Sequence, residues 1–149
     1  PGRLLDPFCG AGALLIEAGV IGCRPVGLDL SPAMVEGSRR NLAHFGVAPC
    51  DLIVGDARRL PLREFDAVAT DPPYGRIAST RGADVEDLYR AFLGGAADLL
   101  RPGGYLCVAA PRALRVVEMA RGTGFKHVES HLIPIHGSLT REVAVFRRV

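Results

Sequence analysis

Four short apolar runs recur along this chain, and each delivers an aspartate at or just past its carboxyl end. Arg3 to Phe8 carries Asp6, Pro25 to Leu30 carries Asp29, Asp51 to Val54 leads through Gly55 into Asp56, and Phe65 to Thr70 leads directly into Asp71. Runs this short, bounded by turn residues, read as buried strands. Helical segments lie between them. A glycine-rich turn, Cys9-Gly10-Ala11-Gly12, opens a helix from Ala13 to Ile21. Ser31 as N-cap and Pro32 as first helical residue open a second, whose apolar stripe is Val35, Leu42 and Phe45 and which Gly46 ends. Val85, Leu88, Tyr89, Phe92, Leu93, Ala96 and Leu100 recur at helical spacing until Pro102-Gly103-Gly104 stops them. Strand alternating with helix predicts a parallel sheet covered on both faces, and such sheets bind ligands at the carboxyl ends of their strands.

Tyr105 to Ala110 reads as a fifth strand and Arg112 to Arg121 as a short helix. The tail differs. Val128 to Ile135 and Glu142 to Arg147 are strand-like runs joined by His136-Gly137-Ser138-Leu139, with no room for a helix between them. They should form an antiparallel hairpin at one sheet edge. The expected fold class is α/β and Rossmann-like: a seven-stranded, mostly parallel sheet with an antiparallel last strand.

The 149 residues suffice for one domain, 1–149, and 48% hydrophobic content supplies a core without staples. No apolar run can span a bilayer, and no signal-peptide pattern is present. The chain starts at Pro1 and enters a strand almost at once, which is expected of a piece cut from a longer protein. Cys9, Cys23, Cys50 and Cys107 have no metal-ligand spacing and read as small, reduced, mostly buried residues of an intracellular protein. Net charge is +2, weak for a stand-alone nucleic-acid binder. Lys126 is the only lysine; the other cations are arginines, whose forks suit phosphate or serve as ordinary surface charge.

Gly10 and Gly12 let backbone approach a ligand closely, although a plain strand-to-helix turn has the same sequence. Asp29 is placed to hold ribose hydroxyls and Asp56 to accept from an adenine amine, while each alone also reads as a cap or turn former. A dinucleotide site wants a third glycine where Leu15 stands, and Asp6 would repel pyrophosphate. It favours a cation such as a sulfonium with its neighbouring amino group. The pocket therefore points to S-adenosyl-L-methionine rather than NAD. Asp71-Pro72-Pro73-Tyr74 suits a planar amine. Asp71 and the Pro72 carbonyl can accept from an NH2 group, the prolines stiffen the turn, and Tyr74 offers a stacking face.

These residues resemble, in order and spacing, the class I S-adenosylmethionine-dependent methyltransferases whose motif is [DNS]-P-P-[YF]. The resemblance covers essentially the whole chain. Asp71-Pro72-Pro73-Tyr74-Gly75-Arg76 and the tail His136-Gly137-Ser138-Leu139-Thr140-Arg141 are similar to the archaeal and eukaryotic tRNA guanosine N2-methyltransferases acting at position ten. The resemblance implies cofactor contacts at Asp6, Phe8, Gly10, Gly12, Asp29, Leu30, Asp56, Ala57 and Asp71. It implies chemistry at Asp71, Pro72, Pro73 and Tyr74, and substrate contacts at Tyr74, Gly75, Arg76, Ser138 and Arg141. It further implies tRNA as partner through an N-terminal THUMP-type domain that this chain lacks, a cytoplasmic location, and no metal. Ser138 and Arg141 read equally as a hairpin turn with a solvated arginine.

The motif alone permits other amines: DNA adenine N6, rRNA guanine N2 or a protein amide. A non-catalytic cofactor-binding module is the reading of another class, and an intact Asp71-to-Tyr74 motif argues against it.

Overall fold

Strand β1 (Arg3–Asp6) lies in the middle of a seven-stranded sheet. It is followed in chain order by α1 (Ala13–Val20), β2 (Arg24–Asp29), α2 (Pro32–His44), β3 (Asp51–Val54), β4 (Phe65–Thr70) and α3 (Val85–Leu99). Then come β5 (Leu100–Pro111), a 3-10 turn (Arg112–Leu114), α4 (Val116–Met119), β6 (Phe125–His136) and β7 (Leu139–Arg148). The structure, a computed structural model, describes residues 2–47, 50–74, 85–137 and 139–149. The spatial order is β3-β2-β1-β4-β5-β7-β6. Strands β1 to β5 pair in parallel, and β7 runs antiparallel to both β5 and β6. The alternation thus predicts the sheet correctly, hairpin included, and β7 slots inside β6, which forms the edge.

Neighbours Val26 and Gly27 on β2 point to opposite faces and show how the sheet is covered. Val26 packs in the main core with Leu5, Phe65, Val68 and the α3 side chains Tyr89, Phe92 and Leu93. A Cβ on Gly27 would lie 2.4 Å from Leu15 Cδ1 and 2.9 Å from Leu52 Cδ2. That face belongs to α1 and α2, where Cys9, Leu15 and Leu42 form a second cluster. Each fully buried leucine or phenylalanine contributes roughly 1.5–3 kcal/mol. The α2 start is as predicted: Pro32 is the first helical residue, and the Ser31 hydroxyl accepts from the Met34 N–H at 3.4 Å.

Several local expectations are corrected. Phe45 is 60% exposed, because α2 ends at His44 and Phe45 falls past its last turn. Ser38 takes the buried place between Val35 and Leu42. Leu100 begins β5 instead of ending α3, and Pro102-Gly103-Gly104 lies in an irregular part of that strand, between the pairings of Phe65 with Leu100 and Ala67 with Tyr105. The helix expected over Arg112 to Arg121 is broken at Arg115, whose φ is 52°. The four cysteines are free thiols; Cys9 is buried and the other three half-buried.

Candidate active site

The site starts from the turn after β1. The Gly12 N–H donates to the Cys9 carbonyl at 2.8 Å, and the Cys9 N–H to the Leu28 carbonyl at 2.8 Å. Gly12 has φ 91°, and a Cβ there would meet Ser38 Oγ at 2.4 Å. Only glycine fits both conditions. Gly10 has φ 50° with open space where its Cβ would project, so the turn forms an uncovered backbone cradle.

Asp29 braces that cradle. One carboxylate oxygen accepts from the Gly10 N–H at 2.9 Å and the other from the Ser31 N–H at 2.8 Å. Each oxygen keeps a lone pair for a further donor. Leu30, next in the chain, is 60% exposed, an apolar side chain beside the cradle's brace. Phe8 packs edge-on against Phe92, with centroids 5.4 Å apart.

Asp6 is only 2% exposed. Its Oδ1 accepts from the Thr70 hydroxyl at 2.7 Å and the Phe8 N–H at 3.1 Å. Burial pushes its carboxyl up to about 6, against the opposing pull of those two hydrogen bonds. Asp56 is engaged within its own loop. The Arg58 guanidinium donates to both its oxygens at 2.7–3.1 Å, and the Arg58 N–H adds a bond at 2.9 Å. The Arg58 side chain beside it holds the carboxyl below its ordinary value. Ala57, between them, is buried.

Strand β4 leads directly into Asp71. Arg141, on β7, forms an ion pair with Asp71 Oδ1. Its guanidinium carbon also stands 5.0 Å from the centroid of the Tyr74 ring. The Pro72 carbonyl faces Tyr89 on α3. That hydroxyl lies 3.3 Å from it and 2.9 Å from the Ala109 carbonyl, so one proton is shared between strand ends β4 and β5. Burial drives the Tyr89 hydroxyl's pKa well up, which keeps it a donor. The structure thus brings Asp71, Pro72, Tyr74 and Arg141 together. Gly75, Arg76 and Ser138 lie outside the described residues.

The family model described as UPF0020, RMKL-like methyltransferase domain, matches residues 1–141. The chain belongs to the RMKL-like methyltransferase family. This methyltransferase domain is 49% identical over 148 residues to the tRNA (guanine(10)-N2)-dimethyltransferase of Methanothermobacter thermautotrophicus, covering 99% of the domain and 44% of that protein. It is 31% identical over 154 residues to a probable tRNA (guanine(10)-N2)-dimethyltransferase of Methanothermococcus thermolithotrophicus, covering 97% of the domain and 88% of that protein. The crystal structure of TrmN from Thermus thermophilus matches it with a TM-score of 0.84 at 27% identity, over 99% of the domain and 44% of that chain. The domain therefore spans under half the length of the Methanothermobacter relative and of TrmN.

Three side chains of the methyltransferase domain escape the sequence reading. Tyr89 reads as one more core residue of the α3 stripe, and only its hydroxyl among leucines and phenylalanines hints at a polar task. Thr70 reads as the last residue of a strand. Asn41 lies on α2, where its amide donates to the Ala11 carbonyl at 2.8 Å and ties that helix to the cradle. Among the described residues no group of histidines, cysteines and carboxylates could hold a metal, and no helix is long and apolar enough to cross a membrane.

Proposed function

We propose that this domain transfers the methyl group of S-adenosyl-L-methionine to the exocyclic N2 amine of a guanosine in tRNA, at position ten. One observation carries the reading. An amine-binding carboxylate and ring, Asp71 and Tyr74, follow β4, the strand paired directly to β1, whose turn is the open Gly10 cradle. The names of the two tRNA (guanine(10)-N2)-dimethyltransferase relatives supply the substrate.

The residues present fit the cofactor. The Gly10 cradle admits a ligand where a side chain would otherwise project, and exposed Leu30 offers an apolar face to an adenine ring. Asp29 retains lone pairs for ribose hydroxyls, and Asp56 accepts from the adenine amine in exchange for one of its bonds from Arg58. Asp6, Phe8, Gly12, Ala57 and Asp71 complete the lining. When bound, the cofactor supplies an electrophilic methyl group on a positively charged sulfur.

A guanine amine is a poor nucleophile because its lone pair is delocalised into the ring. Asp71 and the Pro72 carbonyl accept its hydrogens, which draws electron density onto nitrogen and offsets the positive charge developing there. Pro73 stiffens the turn, and Tyr74 stacks on the base, worth roughly 1–3 kcal/mol. Holding nitrogen in line with the methyl carbon supplies orientation. The guanosine leaves its stack to reach the site. Gly75, Arg76, Ser138 and Arg141 form the RNA-facing side, a THUMP-type domain grips the tRNA, and the enzyme works in the cytoplasm without a metal.

The test is labelled methyl transfer by the full-length protein to a tRNA carrying guanosine or inosine at position ten. Inosine lacks the N2 amine, so labelling should vanish with it. Asp71→Ala should lose transfer while weakening S-adenosylhomocysteine binding far less. Equal labelling of the inosine tRNA, or preferred labelling of DNA or protein, overturns the assignment.

A further inference from the structure

Arg141 makes the contacts that the proposed substrate needs. Its NH2 pairs with Asp71 Oδ1, and its guanidinium carbon lies 5.0 Å from the Tyr74 centroid. The side chain is 20% exposed. Its Nε is buried and, among the described residues, has no hydrogen-bond partner. Buried donors in a permanent strut are almost always paired. An arginine with one buried N–H unmet is held by the site's acid and ring without being fully satisfied there.

The chemical likeness is specific. Guanine C2 carries three nitrogens, N1–H, N2–H2 and N3, in one plane. The guanidinium carbon of arginine is the same trigonal carbon bearing three nitrogens. Adenine C6 bears two nitrogens and an amide carbon one. The seat of one carboxylate oxygen and one ring thus receives a flat, N–H-bearing carbon of the kind guanine's edge presents.

We propose that the Arg141 guanidinium is an internal stand-in for that edge. It occupies Asp71 and Tyr74, and a guanine base must displace it to enter. This rests on the guanine-N2 reading above. A base entering such a site binds more weakly by the fraction of time the seat is open. A seat open about a tenth of the time weakens guanosine roughly tenfold.

The experiment is titration of guanosine and adenosine into the S-adenosylhomocysteine-loaded full-length protein, as wild type, Arg141→Ala and Arg141→Lys. Arg141→Ala should bind guanosine about tenfold tighter, and any other base that uses the same seat should gain by the same factor. Arg141→Lys keeps the ion pair but not the flat fork, and should fall between. Guanidinium chloride, with ionic strength matched by sodium chloride, should compete with guanosine in Arg141→Ala. If Arg141 is instead a strut that positions Asp71, then Arg141→Ala binds guanosine no better and added guanidinium strengthens binding; either result overturns the stand-in. Failure of transfer to the position-ten guanosine overturns the substrate reading whatever Arg141 does. Transfer with guanosine affinity unmoved by Arg141→Ala overturns the stand-in alone.

Discussion

The Thr70 hydroxyl donates to Asp6 Oδ1 across 2.7 Å, joining the last residue of β4 to the last residue of β1. Both residues are buried. The bond ties the strand that leads into Asp71 to the strand that leads into the glycine cradle. It adds a buried side-chain contact to the parallel pairing of β1 with β4.

Asp6 makes stability fall with pH. Folded, it keeps its proton to about 6, whereas its unperturbed value is 3.8. Its favourable contribution is complete below the lower value and fades as pH rises through the upper one, because the folded state binds the extra proton between them. The full effect is about 3 kcal/mol. Asp6→Asn keeps a carbonyl acceptor for Thr70 and removes the titration. Urea unfolding at about pH 4 and about pH 7 should show wild type losing stability relative to the variant; parallel behaviour of the two chains would refute this.

Tyr89→Phe should destabilise by about 1–3 kcal/mol, since two carbonyls at the buried strand ends lose their shared donor. S-adenosylhomocysteine affinity should stay within twofold or so, because the hydroxyl faces the amine side. Methyl transfer should slow as the Pro72 carbonyl loses its positioning contact. Unchanged stability would show that the hydroxyl is idle.

Gly12→Ala should cost at least about 2 kcal/mol. The left-handed backbone contributes roughly 1–2 kcal/mol of this, and the contact with Ser38 Oγ adds to it. Adding Ser38→Ala should recover the steric part and leave the backbone part. Thermal unfolding of both chains separates the two. Full recovery in the double variant would mean the conformation itself costs nothing.

Leu30→Ser should divide stability from binding. An apolar side chain 60% exposed contributes little to the fold, so unfolding should shift by less than about 0.5 kcal/mol. S-adenosylhomocysteine should bind several-fold more weakly. A variant that melts early without losing affinity would remove Leu30 from the pocket.

Wherever local pattern decides the outcome, the fold was readable. β3 and β4 run between the predicted residues, because short apolar runs bounded by glycine, proline and aspartate have few alternatives. The α2 start followed from Ser31 and Pro32 for the same reason. Phe45 misled because helical spacing continues past the residue where the helix stops. Arg141 was legible as a substrate contact through the family resemblance, but its pairing with Asp71 was not. Its partner is set by β7 entering the sheet beside β5, where Arg141 pairs with Pro111, and no local pattern encodes that register. The bracing role of Asp29 was hidden likewise, since the Gly10 N–H it accepts comes from a different strand's turn.

β7 is synthesised after every other strand yet settles inside the sheet, with Ala144 and Phe146 in the core. A nascent chain that has made β1 to β4 already owns the cradle and the acid of Asp71-Pro72-Pro73-Tyr74, while the arginine that pairs with that acid does not yet exist. The partner of Asp71 is therefore the last part of its surroundings to be made, and a chain halted before Leu139 would carry Asp71 without it.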